Sequence, residues 1–473
     1  MPIEPVGVAG SIEPTELSEL VELLRDLIRI RSVNPPGDEI LAARFLEQVL
    51  TDEGLRPTVV EPFPGRGSIV VRIHGDGTGG EPLLLLSHLD VVPAEPAGWT
   101  HDPFGGDLAD GYVWGRGAID MKSMVAMEVQ VMRRLARAAR AAGRDPATDP
   151  IPGLRRDVIF CSSADEEAGG WHGADWLVNE HPDWLRAAGA LNEAGGIAMT
   201  FGGTRFYPIQ VAEKGFVVYK LHVRGRWGHG SIPTPDNAAV LAAEIVVRLA
   251  RPGRARLTEA MKVSLGRAIP HLVAHGSGAA GAGVRLAARF RPGMIDAAAR
   301  RLRDPVMSRT IAAITHDTVS VGIVSAGVKY NVIPGTAEIE IDCRTLPGTN
   351  EPAMRAELRR RIGKELWARL DIECKQVGAA VQAPLAGELY PLLEQVLRDH
   401  DSEAVPLPFL APFATDAKHL ARIGVPTYGF SPLKTGRNDG LLALMHGDDE
   451  RVSVEALRFG LPVLWDATTR FCS

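Results

Sequence analysis

The stretch PLLLLSHLD, residues 82–90, joins a short apolar run to a histidine and an aspartate. The run has the length of a strand, and a continuously apolar strand is typical of a sheet covered on both faces. Ligands of open α/β sheets gather beyond the carboxyl ends of the strands. The stretch therefore predicts a buried strand that carries His88 and Asp90 at a functional edge.

Similar patterns surround this strand. Apolar residues at helical spacing predict helices over residues 16–30, 39–53 and 121–142. Short apolar runs at residues 158–162 and 189–191 predict two further buried strands. Because strands alternate with helices, this part of the chain is predicted to form an α/β domain.

The pattern changes near residue 201. Apolar side chains then alternate with polar ones, as in a half-exposed antiparallel strand, at Val217, Tyr219, Leu221 and Val223. A helical pattern over residues 237–250 and two more strand patterns follow before the α/β pattern resumes.

The chain therefore combines two kinds of domain. We predict an α/β domain with a mixed, mostly parallel sheet, formed by residues 1–203 and 347–473. An inserted α+β domain, residues 204–346, interrupts it.

Composition limits the classes of function. The chain has 473 residues, 45% of them hydrophobic and 23% charged, which is typical of a folded globular protein of more than one domain. Its formal net charge of −6 argues against nucleic acid or an anionic membrane as a partner. The first residues lack the pattern of a secretory signal, and no apolar run reaches membrane-spanning length. We expect a cytoplasmic enzyme.

The four cysteines are scattered, at positions 161, 343, 374 and 472, and none forms a CxxC pair. This spacing argues against a cysteine zinc site or a disulfide framework. We expect buried, reduced thiols.

Acidic residues and histidines mark several predicted loops. Asp120 ends the Gly-rich segment GRGAID, residues 115–120, directly before a predicted helix. The glycines do not follow the G-x-G-x-x-G form of a dinucleotide site. A carboxylate at such a junction is a good metal ligand, and a simple helix cap is the alternative.

Two adjacent carboxylates, Glu166 and Glu167, follow another predicted strand. Side chains of neighbouring residues point in different directions, so that one can bind a metal while the other moves a proton. A solvated acidic turn is the alternative. Glu193 follows a third strand, and His446 lies near the C-terminus. Nitrogen and carboxylate ligands of this kind suit zinc and similar divalent metals.

At these residues the sequence resembles the di-zinc aminoacylase and carboxypeptidase family. That family includes acetylornithine deacetylase, succinyl-diaminopimelate desuccinylase, glutamate carboxypeptidase and yeast carboxypeptidase S, and the carboxypeptidase S-like branch is the most similar. The matching runs are SHLDVVP (87–93), WTHDPFGG (99–106), GRGAIDMK (115–122), SADEEAGG (163–170), NEAGG (192–196), GHGSIP (228–233), NVIPGTAEIEIDCRTLPG (331–348) and HGDDERV (446–452). They occur in the order of the family and cover nearly the whole chain.

The resemblance implies two zinc ions, with cobalt or manganese as substitutes. His88 and Glu193 would hold one ion, Glu167 and His446 the other, and Asp120 would bridge both. In the family, the peptide bond after the bridging aspartate is often cis.

The resemblance also implies roles for residues that do not bind metal. Glu166 would be the general base, and Asp90 would orient the histidine of the first zinc. In dimeric relatives a histidine from the partner's inserted domain, the lid, steadies the oxyanion, and His229 matches it. Asn331 and Arg344 match lid residues that bind substrate, and arginine suits a carboxylate because it can make two parallel hydrogen bonds.

These expectations describe a hydrolase that cleaves an amide bond next to a free carboxylate. The substrate would be an N-acyl amino acid or a short peptide, and the protein would form a homodimer through its lid. Two alternatives stay open: a catalytically silent binding protein on the same fold, and a metal-dependent ester or carbamate hydrolase. The lid is longer than in compact members of the family because of the stretch at residues 254–303, and Ser123 stands where glycine is commoner.

Overall fold

A computed structural model describes residues 12–201, 203–274, 305–434, 436 and 444–473. The chain divides into two compact units. The first comprises Met1–Val211, Ala383–Phe409 and Thr415–Ser473, and the second comprises Ala212–Gln382 and Leu410–Ala414.

Strands and helices follow one another along the described chain. The strands are β1 (Thr58–Phe63), β2 (Arg66–Ile73), β3 (Leu83–His88), β4 (Asp107–Ala109), β5 (Tyr112–Trp114), β6 (Val158–Ser163), β7 (Gly189–Asn192), β8 (Met199–Phe201), β9 (Thr204–Glu213), β10 (Gly215–Arg224), β11 (Gly228–His229), β12 (Thr318–Ala326), β13 (Val332–Ile333), β14 (Thr336–Thr345), β15 (Leu370–Gly378), β16 (Val381–Gln382), β17 (Ala404–Ala411), β18 (Thr427–Gly429) and β19 (Arg451–Ser453). The helices are α1 (Pro14–Arg29), α2 (Glu39–Asp52), α3 (Lys122–Ala141), α4 (Ala174–Glu180), α5 (Pro182–Leu185), α6 (Ala238–Leu249), α7 (Glu259–Ala274), α8 (Pro305–Thr315), α9 (Glu351–Ile362), α10 (Lys364–Trp367), α11 (Leu389–His400), α12 (Ala417–Leu420) and α13 (Val454–Cys472).

The first unit is built on a mixed sheet. Its strands follow the order β1-β2-β6-β3-β7-β18-β9, and β8 and β17 pair with β9 as well. The central strands β6, β3, β7 and β18 are parallel, whereas β1, β2 and β9 pair in antiparallel fashion. All side chains of β3, β6 and β7 are buried, as expected for continuous apolar strands in the middle of a sheet. The predicted α/β domain with a mixed sheet is confirmed.

The second unit contains an antiparallel sheet of the order β12-β14-β10-β15. The alternation predicted for β10 is present, because Val217, Tyr219, Leu221 and Val223 are buried while the residues between them are not. These side chains form one core with residues of β14 and with helices α6 and α9. Helices and antiparallel strands thus give the expected α+β architecture.

The boundaries of the second unit differ from the predicted limits of 204 and 346. The unit begins at Ala212 and extends to Gln382. The sequence assigned the segment after residue 346 to the α/β domain, but β15 pairs with β10 along its whole length. Met354 and Leu358 of α9 lie in the same core. Hydrogen bonding and packing therefore place this segment in the inserted unit.

Other differences are local. The helical pattern of residues 351–367 predicts one helix, but Gly363, whose φ is 85°, ends α9 before α10 begins. Three of the cysteines are buried and all four are free, but Cys374 is exposed on the edge strand β15. Residues 275–304, part of the stretch behind the longer lid, lie outside the described residues. None of the helices described has both the length and the apolar character required of a membrane span.

Candidate metal centre

Three neighbouring parallel strands end at one edge of the first unit's sheet. The ladder places β3 between β6 and β7. His88 is the last residue of β3, Glu193 directly follows β7, and Glu166 lies three residues beyond β6. Because parallel strands present their carboxyl ends together, these side chains converge as the sequence predicted.

His88 is the buried centre of this edge, with 1% of its surface exposed. Its Nε2 atom lies 3.2 Å from Asp120 Oδ1 and 3.7 Å from Glu193 Oε2. Burial alone would lower the pKa of His88, but hydrogen bonds to Asp120, Asp90 and Glu193 raise it well above its usual range. The imidazole is thus held among carboxylates.

Asp90 is fully buried and supports the site from behind. His88 Nδ1 lies 3.1 Å from the main-chain oxygen of Asp90 and 3.5 Å from its Oδ1. The two carboxylate oxygens also accept hydrogen bonds from the main-chain N–H groups of Glu166 and Glu167, at 3.1 and 3.0 Å. Asp90 therefore fixes both the histidine and the adjacent acidic turn.

The acidic turn itself rests on a buried polar network. Asn34 donates to Asp90 at 2.8 Å and to Asp165 at 3.1 Å. Arg66 pairs with Glu39 at 2.7 Å and with Asp165 at 3.4 Å. Asp165 has a positive φ of 69°, a conformation that non-glycine residues adopt only where the surroundings hold it. These contacts determine where the next two carboxylates project.

Asp120 reaches the centre from the loop before α3. The loop turns tightly at Gly117, where φ is 87° and a Cβ atom would lie 2.8 Å from Val91. The Asp120–Met121 peptide bond is cis, as the resemblance implied. Burial alone would raise the pKa of Asp120, but His446 and His88 hold it well below its usual range.

His446 approaches from the C-terminal part of the chain. Its Nε2 atom lies 3.1 Å from Asp120 Oδ2 and 3.3 Å from Glu167 Oε1. These two contacts raise the pKa of His446 to about 10. Its side chain is 52% exposed, whereas that of Glu167 is 7% exposed. This side of the centre therefore opens to solvent.

The five predicted ligands form two groups that share one residue. One group is His88, Asp120 and Glu193, and the other is Asp120, Glu167 and His446. Within each group, one ligand atom from every residue lies within 4.8 Å of the others. Glu167 Oε1 is buried and accepts no hydrogen bond of good geometry among the described residues, and its charged neighbour is His446 Nε2 at 3.3 Å. A buried carboxylate oxygen in this state fits a site built for a cation.

Glu166 lies beside these groups without belonging to either. Burial raises the pKa of Glu166 well above its usual range, and the charge of Glu193 adds to the effect. Burial likewise raises the pKa of Glu193 to about 7. The charges of His88 and Lys418 act on Glu166 in the opposite direction. The site thus favours the protonated form of the Glu166 carboxyl group more than water does.

The predicted lid residues all lie in the second unit. His229 is exposed, and its Nδ1 atom lies 2.7 Å from Ser231 Oγ. The strand that contains it pairs with β13, and Gly230 N–H donates to the main-chain oxygen of Asn331 at 2.8 Å. Within the unit, the structure therefore brings the His229 loop next to Asn331.

Arg344 lies on β14, in the other sheet of the second unit. It pairs with Asp342 at 3.0 Å and stacks over the ring of Phe216. For an arginine at this position the alternative to substrate binding is a surface ion pair, and the structure contains such a pair.

Sequence reasoning missed several supporting residues. Asn34 begins the motif NPPG, residues 34–37, which predicts only a turn, and Arg66, Glu39 and Glu450 received no role. All are at least 27 positions distant along the chain from the partners that explain them. From the sequence alone, a polar residue among apolar ones is only weak evidence of a supporting role, because the residue that it contacts in the fold cannot be identified.

The chain matches proteins of known families over most of its length. Residues 84–469 match the family described as Peptidase family M20/M25/M40. Aminoacylase-1 of Sus scrofa is 27% identical over 449 residues, which cover 91% of this chain and 90% of the relative. The probable carboxypeptidase S-like protein 2 of Dictyostelium discoideum is 27% identical over 403 residues, or 82% of this chain and 71% of the relative.

A solved structure shares the fold. The M20 family metallo-carboxypeptidase Sso-CP2 from Sulfolobus solfataricus superposes with a TM-score of 0.68 at 15% identity. The superposition covers 97% of this chain and 99% of that chain.

Proposed function

The chain belongs to peptidase family M20/M25/M40 and is an amide-bond hydrolase, and we propose that it uses two zinc ions to cleave an amide bond next to a free carboxylate. The substrate is an N-acyl amino acid or a short peptide. The observation that carries this proposal is the position of Asp120, whose two carboxylate oxygens lie 3.2 and 3.1 Å from the Nε2 atoms of His88 and His446.

The donor set fits the proposed metal. Each ion would take one imidazole nitrogen, one terminal carboxylate and one oxygen of Asp120, and this mixture of nitrogen and oxygen suits zinc, with cobalt or manganese as substitutes. When bound, the ions supply a water of lowered pKa and polarise the scissile carbonyl group.

Glu166 is the proposed general base. Its main chain is held by Asp90, so the carboxyl group projects from a fixed turn. A pKa raised by burial allows this carboxylate to take a proton from the attacking water and pass it to the leaving amine. Glu167, one residue later, is held by the same aspartate and faces His446 instead.

The lid residues are proposed to bind and polarise the substrate. His229 is exposed at the end of the short strand β11, between two glycines, where its imidazole can donate to the oxyanion. Asn331 lies beside this histidine in the fold, because its main-chain oxygen accepts the N–H of Gly230. For Arg344 to hold the carboxylate of the substrate, its guanidinium would exchange Asp342 for that carboxylate, which is possible because the pair is partly exposed.

A homodimer through the second unit is part of the proposal, and in it His229 acts on the partner's site. The edge strand β12 exposes Ile323 and Val324, and helix α6 exposes Val240 and Val247. An apolar edge strand is a favourable surface for pairing with a second copy. The cytoplasmic location expected from the sequence stays a prediction.

The test is a screen of metal-loaded protein against N-acyl amino acids and dipeptides, with ester and carbamate analogues alongside. On the best amide, Glu166→Ala should lower kcat by roughly 10²- to 10⁴-fold while both metals stay bound. Glu180→Ala, at an exposed position of α4, is the control and should not change it. Full activity of Glu166→Ala, or of chelated protein, would refute the mechanism. A preference for esters or carbamates, or turnover of no substrate at all, would favour the alternatives.

Sharing of His229 across a dimer can be tested separately. His229→Ala and Glu166→Ala should each be nearly inactive alone. Mixing them after dissociation should restore about a quarter of the sites if a random half of the dimers are mixed and each mixed dimer has one intact site. Mixtures without recovery, from protein that is dimeric by light scattering, would show that His229 does not act in trans.

A further inference from the structure

A buried ion pair lies directly behind the shared ligand of the metal centre. Arg116 and Glu450 are 2% and 0% exposed, and Arg116 Nη1 lies 2.6 Å from Glu450 Oε2. Neither residue belongs to the two candidate ligand groups, which contain only His88, Asp120, Glu167, Glu193 and His446.

Glu450 holds the loop that leads to Asp120. Its Oε2 atom accepts the main-chain N–H of Gly117 at 3.1 Å. Its Oε1 atom accepts the N–H groups of Ile119 at 2.8 Å and of Asp120 at 3.1 Å. With the guanidinium, four donors therefore converge on one carboxylate, and three of them belong to the main chain just before the Asp120 side chain.

Arg116 extends this arrangement to the second histidine. Its Nη2 atom donates to the main-chain oxygen of His446 at 3.3 Å. The same guanidinium thus contacts both Glu450 and the segment that carries His446. The main chain repeats the link, because Gly115 N–H donates to the main-chain oxygen of Glu450 at 2.9 Å.

We propose that Glu450 and Arg116 are positioning residues that set the distance between Asp120 and His446 and thereby prepare both metal groups. Glu450 acts on both groups, since both contain Asp120. Arg116 acts through its contact with His446 on the group that contains this histidine. The inference rests on the proposed function, since it concerns how tightly the same metals are bound.

Physical chemistry gives the proposal a definite magnitude. Residues that orient metal ligands typically change metal affinity by about 10- to 100-fold when they are replaced. Burial raises the pKa of Glu450, while Arg116 and the amides of Ile119 and Asp120 lower it. Glu450→Gln keeps the size of the side chain but turns an NH₂ group toward Gly117 N–H and the guanidinium, so that donors face donors.

The experiment measures metal affinity rather than activity. Apo-protein is titrated with Zn²⁺ or Co²⁺ against a competing chromophoric chelator, and the unfolding midpoint of the metal-free protein is recorded in parallel. Glu450→Gln should weaken the binding of both ions by about 10- to 100-fold. Arg116→Lys keeps a charge beside Glu450 but cannot also reach His446, so it should weaken one ion by a similar factor and leave the other unchanged.

A matched control removes a charge from another buried pair of the same unit. Asp401 is 4% exposed and pairs with Arg205 at 2.5 Å, and its carboxylate also contacts Tyr207, Lys434 and the main-chain N–H of Glu403, none of which is a candidate ligand. Asp401→Asn should lower the unfolding midpoint without changing either metal affinity.

The outcomes separate this inference from the proposed function. Wild-type protein that binds no divalent ion would overturn the proposed function. Wild-type protein that binds two ions, with Glu450→Gln and Arg116→Lys binding them equally well, would overturn the inference alone, even if both variants unfold more easily. If Glu450→Gln does not fold, Arg116→Lys decides: selective loss of one ion supports the inference, and two unchanged affinities refute it.

Discussion

The two candidate metal groups share Asp120 but differ in how far the protein encloses them. The group around His88 and Glu193 is buried on all sides, whereas the group with Glu167 includes a histidine whose side chain is 52% exposed. Asp90 holds the buried histidine at Nδ1, whereas the exposed one, His446, is held at its main-chain oxygen by Arg116. The enclosed group is thus part of the core, while the open group is assembled at its surface.

The same kinds of ligand therefore have different effects on stability in the two groups. A charged group within the core must keep its partners, because an unpaired buried charge is strongly destabilising. A group at the surface can lose a partner to water at small cost. Substitutions in the two groups should therefore have similar effects on chemistry and unequal effects on stability.

Replacement of Asp120, the residue that both groups share, should affect both metals. Asp120→Ala should remove both metals and lower amide hydrolysis by roughly 10³-fold or more, the upper part of the range for losing one charge stabiliser. Metal content after dialysis and kcat/KM on the best substrate are the measurements. A variant that keeps one ion at wild-type affinity would show that Asp120 does not bridge.

The two histidines, one buried and one half-exposed, allow the difference in stability between the groups to be measured. His88→Ala leaves Asp120, Glu193 and Asp90 buried without their common partner, and it should lower the free energy of unfolding of metal-free protein by about 1–3 kcal/mol. His446→Ala should lower it by less than His88→Ala does, because the half-exposed His446 side chain already competes with water for its contacts to Asp120 and Glu167. Denaturant unfolding in the presence of a chelator measures both, and equal losses would contradict the distinction between core and surface.

A buried carboxyl group outside the metal centre shows how burial without a charged partner affects the pKa of a glutamate. Glu128 on α3 is fully buried, and neither of its oxygens has a hydrogen-bond partner among the described residues. Burial raises the pKa of Glu128 well above its ordinary value of 4.5, although the nearby Ser87 hydroxyl acts in the opposite direction. The folded protein therefore keeps a proton that the unfolded chain releases, and stability falls as the pH rises above about 4.5.

Glu128→Met should remove this dependence with little change in volume. We expect a gain of about 1–3 kcal/mol in the free energy of unfolding at pH 8, shrinking toward pH 4, where the carboxyl is protonated in both states. Urea unfolding at several pH values measures it, with Glu180→Gln on the surface as control. A gain that does not depend on pH would mean that packing, rather than ionisation, is responsible.

The sequence predicted the parts of this structure that depend on local pattern. His88 and Glu193 were placed at strand ends because apolar runs precede them, and parallel strands bring such ends together. The structure groups these residues with the other three predicted ligands, while their binding of metal stays a prediction. The alternation along β10 likewise predicted its buried face.

Other parts could not be predicted, because they depend on which distant residues meet. The sequence predicted no strand at β15, and nothing in its local pattern identifies β10 as its partner, so the predicted end of the inserted unit lies before the end in the structure. The pairing of Arg116 with Glu450 joins residues 334 positions apart, and nothing in either local segment points to the other. Asn34 is the same case, because its neighbouring prolines predict only a turn.

The pairing of β9 with β16 has a consequence for how this chain could be remodelled. The inserted unit begins at Ala212 and its main segment ends at Gln382, and these two residues face each other in one antiparallel ladder. Paired residues in such a ladder have Cα atoms about 5 Å apart. The first unit therefore leaves off at Val211 and resumes at Ala383 at almost the same point in space. If the inserted segment were removed, a hairpin turn could join these two ends at a small cost in loop entropy. The main segment of the inserted unit could thus be removed or exchanged without a change in the path of the chain on either side of it.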